Sequence, residues 1–214
     1  MGTMSRPRVG VLALQGSVQE HVATLRRLEV DVRQVRRPEH LEGLDGLILP
    51  GGESTTFRRL MASGLLQAVR QARDEGMALF GTCAGLILLA RHIVDQPEPG
   101  VTVEQARTPG PGLAVLDVTV ARNAYGRQVA SFEAPVALQP PLAAGGPFPG
   151  VFIRAPRIAS TGAAVRLLGV LGDEPVLVQQ DRVLGATFHP ELTADLRIHR
   201  YFVEEVAGRR RFST

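Results

Sequence analysis

Three residues with complementary chemistry stand out in the sequence: a cysteine, a histidine and a glutamate. Cys83 is the only cysteine in the 214 residues, and it lies in the segment GTCAG. His189 and Glu191 lie far downstream, in the segment FHPEL. A thiol nucleophile needs a base that exchanges its proton, and the base needs an acidic group that orients it. Together the three side chains predict acyl transfer through a cysteine.

The segment GTCAG has the form Gly-x-nucleophile-x-Gly, between a predicted strand at 77–80 and a predicted helix at 86–94. Such an elbow holds the nucleophile in a strained turn at the carboxyl edge of a sheet, where ligands bind in α/β folds. The helix N-terminus favours a negative charge on Cys83, and the N–H group of Ala84 points to the site of a developing oxyanion. A buried structural cysteine is the alternative interpretation, which the strand and helix context disfavours.

The other four histidines are weaker candidates for the catalytic base. We predict that His21, His92 and His199 lie in helices, that His40 lies in a loop, and that all four are at the surface. A single cysteine and scattered histidines give no spacing typical of a zinc site, so we expect no metal and no other cofactor.

Composition narrows the class of protein. Hydrophobic residues make up 44% of the chain and charged residues 21%, which is typical of a globular domain. No apolar run is long enough to span a membrane, so we expect no membrane partner. All 24 basic residues are arginine, but only the segment GRRR near the end clusters them, so we expect no nucleic-acid partner. One cysteine excludes an internal disulfide, and we predict a cytoplasmic protein.

Strands and helices alternate in the first half of the chain. The segments RVGVLAL, DVRQVRR, LDGLILP and MALF predict strands, and helical patterns occur at 18–28, 54–76 and 86–94. This alternation indicates an α/β fold with a largely parallel central sheet flanked by helices.

The second half of the chain is strand-rich. Six strand-like runs lie between residues 113 and 188, and a last helix is predicted at 193–206. Residues 95–112 are rich in proline and glycine and predict an exposed loop. We expect a single domain over residues 1–214, with frayed ends at 1–7 and 208–214.

The GTCAG segment and the distant HPE segment resemble the triad, or class I, glutamine amidotransferases. More specifically, the chain resembles the glutaminase subunits of pyridoxal 5′-phosphate synthase. Five further segments carry this resemblance, in the family's order from end to end: GVLALQGSVQEH, LPGGESTT, RNAYGRQVASFE, VFIRAP and the threonine of HPELT. The resemblance implies a single glutaminase domain with a flavodoxin-like α/β fold.

The resemblance also implies residue roles. Cys83 is the implied nucleophile toward the side-chain amide of L-glutamine, and His189 and Glu191 are the implied charge-relay pair. The backbone N–H groups of Gly52 and Ala84 are the implied oxyanion donors. The implied glutamine contacts are Gly52, Glu53, Ser54, Arg122, Ile153 and Arg154.

The implied reaction converts glutamine and water to glutamate and ammonia. No part of the chain remains to use the ammonia, and the resemblance names a separate partner, the lyase subunit that builds pyridoxal 5′-phosphate. The adjacent glycines Gly51 and Gly52 tolerate either sign of φ, so a peptide flip there would let the partner control the oxyanion site. Residues 95–112 form a longer loop than the family pattern leads us to expect.

Two other functions stay open from the residues. The first is a related elbow-cysteine enzyme, such as a peptidase-like relative or another amidotransferase. An assay of glutamate release from glutamine distinguishes such an enzyme from the implied glutaminase. The second is a non-catalytic binding subunit on the same fold, although such proteins have degraded triads and Cys83, His189 and Glu191 are all present.

Overall fold

The computed structural model describes residues 7–53, 59–60, 62, 64–95, 102–122 and 131–208. The strands within these residues are β1 (Arg8–Leu12), β2 (Asp31–Val35), β3 (Gly46–Leu49), β4 (Ala78–Thr82), β5 (Ala90–Val94), β6 (Thr108–Pro109), β7 (Leu116–Ala121), β8 (Ser131–Leu138), β9 (Phe148–Ile153), β10 (Arg157–Thr161), β11 (Arg166–Leu171), β12 (Glu174–Gln180) and β13 (Val183–Ala186). The helices are α1 (Val18–Arg27), α2 (Leu65–Asp74), α3 (Ala84–Leu89), α4 (Val103–Ala106) and α5 (Arg197–Tyr201), with a π-helical continuation (Phe202–Ala207) and two 3₁₀ helices (Pro38–Leu41 and Pro190–Leu192).

The central sheet has nine strands in the order β2-β1-β3-β4-β13-β12-β11-β8-β9. The pairings from β2 to β13 are parallel, and those from β13 to β9 are antiparallel. The α/β prediction is confirmed, and the order of β1 to β4 is that of flavodoxin-like folds. The sequence pattern predicts a largely parallel sheet; four of its eight pairings are parallel, and the strand-rich second half supplies the four antiparallel ones.

Four parallel strands bring the predicted chemistry together. β4 and β13 are neighbours in register, with Ala186 opposite Thr82. Cys83 follows β4 directly, and His189 follows β13 after two residues. Because parallel strands end at the same edge of a sheet, the cysteine and the histidine meet there, beside the loops that follow β1 and β3.

The core lies on both faces of the central sheet. Ile48 belongs to a buried cluster on one face, while its neighbours Leu47 and Leu49 belong to a second cluster on the other. This alternation follows from the two-residue period of a strand that is covered on both sides. Burial of each such side chain contributes about 1.5–3 kcal/mol to the free energy of folding. Packing on both faces therefore fixes the strands and the positions of their ends.

The helix predicted at 86–94 is wrong in its second half. Helix α3 ends at Leu89, and Ala90–Val94 form strand β5, which pairs in parallel with β7. The apolar run has no clear period, and the partner strand is distant in sequence, so local pattern does not distinguish the two structures.

Strand β5 belongs to a second sheet, of order β10-β7-β5-β6, which the sequence patterns do not separate from the first. The predicted loop 95–112 is wrong in part, because its described residues include α4 and strand β6. A capping box of Thr102 and Gln105 begins α4. Strand β10 was also not predicted from the sequence.

The last helix begins at Arg197, later than predicted, after a turn in which the Asp195 carboxylate accepts a hydrogen bond from the Arg197 N–H group at 2.9 Å. The predicted frayed ends lie outside the described residues, apart from Pro7 and Gly208. No helix among the described residues is long and apolar enough to cross a membrane.

Candidate active site

Cys83 occupies the predicted elbow. Its φ of 51° and ψ of −108° are a strained backbone conformation for a residue with a side chain. Its N–H group donates to the carbonyl of Ala186 at 2.9 Å, and helix α3 begins at the next residue. A methyl group at Gly81 would lie 2.6 Å from the Gly85 backbone, and one at Gly85 would lie 1.9 Å from the Leu49 carbonyl oxygen. Both flanking glycines are therefore required by close backbone approach.

His189 and Glu191 form a buried pair. The His189 Nδ1 atom lies 2.7 Å from Glu191 Oε1, and because a carboxylate can only accept, the ring nitrogen is the donor. A 3₁₀ turn over Pro190–Leu192 brings the two side chains to one side. The His189 N–H group donates to the carbonyl of Val151 at 2.8 Å, which fixes the turn to strand β9.

The electrostatics of the pair favour a proton on the imidazole. Burial opposes the charged ring of His189, but hydrogen bonds to Cys83 and Glu191 outweigh it and raise the His189 pKa to about 10. Burial would likewise raise the pKa of Glu191, but interactions with His21 and His189 lower it to about 2. Near neutral pH the site therefore holds a charged imidazole against a carboxylate.

The surface positions predicted for His21 and His199 are wrong. Both side chains are fully buried, and His21 Nδ1 lies 2.9 Å from His199 Nε2. His21 Nε2 lies 3.5 Å from Glu191 Oε2, so these histidines stand directly behind the triad residues. His21 does lie in a helix, where Val18, His21 and Leu25 share the apolar face, and this spacing is the signal that pattern reading missed.

The other two histidines also differ from the prediction. His92 lies in strand β5 rather than a helix, and His40 lies in the first 3₁₀ helix rather than a loop. Both are half-buried.

Cys83 and His189 open onto a cavity of about 610 Å³ at the carboxyl edge of the parallel strands. The Cys83 Sγ atom lies 3.7 Å from the carbonyl oxygen of Ile153, within reach of a weak hydrogen bond. Arg154, with a φ of 44°, follows this carbonyl at the cavity wall. The cavity is lined by Gln15, Gly16, Ser17, Glu20, Gly51, Gly52, Glu53, Cys83, Ala84, Ile87, Ile153, Arg154, Pro156 and His189.

The glycine loop after β3 lies against the triad residues. A methyl group at Gly51 would lie 2.6 Å from His189 Cε1 and 3.1 Å from Cys83 Cβ. The Gly51 carbonyl in turn faces Gly16, where a methyl group would lie 1.6 Å from its oxygen. The loops after β1 and β3 are therefore in direct backbone contact at the cavity.

Most of the predicted glutamine contacts gather at this cavity. Gly52, Glu53, Ile153 and Arg154 line it. Arg122 does not line it; its guanidinium bonds to both carboxylate oxygens of Asp95, at 3.0 and 2.8 Å. Its role as a glutamine contact stays a prediction.

Ser54 lies outside the described residues, as do most residues of the RNAYGRQVASFE segment.

A sequence model of the SNO glutamine amidotransferase family matches residues 11–208, and with them every triad residue. The chain belongs to this family. The family resemblance drawn from the motifs is thereby confirmed.

Curated relatives of this SNO-family chain share about half of its residues. A protein named pyridoxal 5′-phosphate synthase subunit PdxT, from Thermus thermophilus, is 52% identical over 198 residues, which is 92% of this chain and 96% of the relative. A protein of the same name from Deinococcus radiodurans is 51% identical over 205 residues, covering 95% and 99%.

Solved structures have the same fold. A crystal structure of a glutamine amidotransferase matches with a TM-score of 0.80 and 50% identity, over 94% of this chain and 98% of that one. A structure of PurLQS from Thermotoga maritima matches with a TM-score of 0.66 at 14% identity, over 94% of this chain and 99% of that one, and supports the fold alone.

Proposed function

We propose that the chain hydrolyses L-glutamine to L-glutamate and ammonia through a thioester on Cys83. The observation that carries this proposal is the placement of Cys83 and the His189–Glu191 pair at one cavity, in a member of a glutamine amidotransferase family. Residues 1–214 would form a single glutaminase domain.

The proposed reaction begins when the Cys83 sulfur adds to the side-chain amide carbon of glutamine. The N–H groups of Ala84 and Gly52 donate to the oxyanion that forms. As the carbon–nitrogen bond breaks, His189 gives its proton to the departing ammonia. Water then attacks the thioester, His189 accepts its proton, and glutamate leaves. The raised pKa of His189 supports its first role, because it keeps the ring protonated before ammonia departs.

Charged groups at the cavity suit the other end of the substrate. Glu53 and Arg154 both line the cavity and are exposed there. A carboxylate complements the α-ammonium group of glutamine, and a guanidinium complements its α-carboxylate. These two residues, with the backbone of Ile153, are the contacts that we propose for substrate binding.

We further propose that the ammonia passes to the lyase subunit of pyridoxal 5′-phosphate synthase, for vitamin B6 biosynthesis. The name of the relatives, a subunit of that synthase, supports this partner. We place the chain in the cytoplasm, because the reaction requires Cys83 as a reduced thiol.

A direct assay tests the proposal. Purified chain is incubated with L-glutamine, alone and with the lyase subunit, and glutamate and ammonia are measured. We expect both products in equal amounts, with none from L-asparagine or from unmodified peptides. Peptide cleavage without glutamate release would favour a peptidase-like enzyme. No turnover of any substrate, even with the lyase subunit, would favour a non-catalytic subunit.

A further inference from the structure

The buried histidines behind the triad have no place in the proposed reaction, yet they form a continuous polar chain. His21 and His199 have no exposed surface, and neither lines the cavity. Buried polar groups are costly unless they are paired, so a chain of this kind in an apolar core calls for a role.

The contacts of His21 join two elements to the triad. Its Nε2 atom faces Glu191 Oε2 at 3.5 Å and Thr82 Oγ1 at 3.2 Å. Its Nδ1 atom lies 2.9 Å from His199 Nε2. Glu191 Oε1 is occupied by His189, and its buried Oε2 atom has no hydrogen-bond partner among the described residues. The His21 Nε2 contact at 3.5 Å is at ion-pair distance, longer than a good hydrogen bond. His21 is therefore the group that faces the second carboxylate oxygen.

The direction of these hydrogen bonds can be assigned. His21 Nε2 faces the Glu191 carboxylate, which can only accept, and the Thr82 hydroxyl, which is able to accept, so we assign the hydrogen to Nε2. A neutral His21 then has an accepting Nδ1, and His199 Nε2 must donate to it. This leaves His199 Nδ1 without a hydrogen, in agreement with its lack of a partner among the described residues. The assignment fixes one tautomer for each ring.

The surroundings support neutral rings. Phe80 packs edge-on against both imidazoles, with ring centroids at 6.4 Å from His21 and 5.8 Å from His199. Burial is the largest cause that lowers the pKa of both rings, and the pKa of His199 falls to about 3. Because burial disfavours a charge on His21, the feature of His21 that we consider at Glu191 is its N–H dipole.

We propose that His21 is a positioning residue for the triad: its Nε2–H group holds Oε2 of Glu191, so that Oε1 stays on Nδ1 of His189, and His199 fixes the tautomer of His21. This inference rests on the proposed glutaminase function. The N–H group is the feature that matters, because it orients the carboxylate that orients the imidazole.

Two substitutions separate this role from simple packing. His21→Gln keeps an N–H donor near the Nε2 position, whereas His21→Leu fills similar volume without a donor. We expect His21→Leu to lower kcat by about 10–100-fold, the usual cost of losing a group that orients a ligating or reacting one. We expect KM to stay within about 2-fold, because His21 does not line the cavity. His21→Gln recovers most of the lost kcat.

A second measurement does not require glutamine. The rate at which iodoacetamide alkylates Cys83 follows the thiolate fraction, and a well-oriented His189 stabilises the thiolate. We expect His21→Leu to move this alkylation profile to higher pH, and His21→Gln to leave it near that of the wild type. The matched controls are His92→Leu and His92→Gln, at a half-buried histidine outside the cavity lining, which should change neither kcat nor the profile.

The outcomes distinguish the two proposals. A wild-type chain that releases no glutamate with its lyase subunit counts against the proposed function, while alkylation still tests the positioning role. Equal kcat in wild type and His21→Leu, or an equal loss in the Leu and Gln variants, would overturn that role. If the variants do not fold, nitrogen NMR of the wild type decides: we expect neutral Nε2–H rings at His21 and His199, and a charged or Nδ1–H ring at His21 would refute the assignment.

Discussion

The backbone of Gly16 lies directly against the carbonyl oxygen of Gly51. A methyl group at Gly16 would lie 1.6 Å from that oxygen, and Gly16 also has a φ of 91°. The peptide that carries this oxygen also carries the N–H group of Gly52, a proposed oxyanion donor. The loop that follows β1 therefore sets the orientation of the peptide on which the proposed reaction depends.

We expect Gly16→Ala to lower kcat/KM for glutamine by about 100-fold or more, because the methyl group displaces the Gly51–Gly52 peptide and with it an oxyanion donor. Gly172→Ala is the matched control, because Gly172 has a φ of 59° and nothing within 4 Å of an added Cβ. The Gly172→Ala variant should have a similar backbone strain, from alanine at a positive φ, and should keep the wild-type kcat/KM for glutamine. Similar kinetics in the two variants would mean that the contact does not control the peptide.

Cys83→Ala should abolish glutamine hydrolysis and leave the fold intact. The change removes one sulfur atom and keeps the Cβ, so we expect the free energy of unfolding to change by about 1 kcal/mol or less. Urea denaturation and circular dichroism check the fold, and glutamate release checks the activity. A diazo-ketone analogue of glutamine should label Cys83 in the wild type. Mass spectrometry that finds the label elsewhere, or near-normal turnover by the variant, would refute the nucleophile assignment.

The buried histidines predict a loss of stability in mild acid. The pKa of His199 is lowered from 6.5 to about 3, so below about pH 6.5 the unfolded chain binds a proton that the folded chain does not. The free energy of unfolding does not depend on His199 well above pH 6.5. Below that pH it falls by up to about 1.4 kcal/mol for each pH unit. Glu191, with a pKa lowered from 4.5 to about 2, adds to the loss only in stronger acid.

We therefore expect His199→Gln to flatten the pH dependence of stability between about pH 6.5 and about pH 5. The free energy of unfolding is measured by urea denaturation across this range, for the wild type and for the variant. His92→Gln is the control and should keep the wild-type slope. Parallel curves for wild type and His199→Gln would show that His199 takes up its proton without unfolding.

The sequence is sufficient to predict that the three proposed triad residues lie together, because each has a recognisable local context. Cys83 follows a buried strand between two glycines, and His189 follows another strand two residues before Glu191. The parallel order of β4 and β13 then brings them together. These residues are distant in sequence but meet because each follows the end of a neighbouring strand. Strand ends can be recognised from the hydrophobic pattern of the sequence.

The histidine pair and the second sheet depend on partners that no local pattern contains. His21 and His199 are 178 residues apart in sequence, and only the packing of α1 and α5 beside β4 joins them. Strand β5 continues the apolar run of α3, and its pairing with β7 decides its conformation. At β5 the tertiary contacts outweigh the helical pattern of the segment, whereas at the two histidines they decide burial and leave both residues in helices, as predicted.

The isolated chain should be a poor glutaminase that becomes active when it binds the lyase subunit. Free hydrolysis would release ammonia with no acceptor, and the Gly51–Gly52 peptide offers a physical switch, because its two orientations aim either a carbonyl or an N–H group at the oxyanion. Gln15 and Gly16 line the cavity beside this peptide, so a partner that docks on their loop can favour one orientation. We expect kcat/KM for glutamine to rise at least about 10-fold with saturating lyase subunit.

Gly52→Ala tests the switch, because alanine disfavours one of the two peptide orientations. We expect this variant to bind the lyase subunit but to lose most of the stimulation, which binding and kinetic measurements on the same preparations would record. Gly172→Ala again serves as the control and should be stimulated like the wild type. Equal kcat/KM for the wild type with and without the partner would refute activation. Full stimulation of Gly52→Ala would instead place the switch outside this peptide.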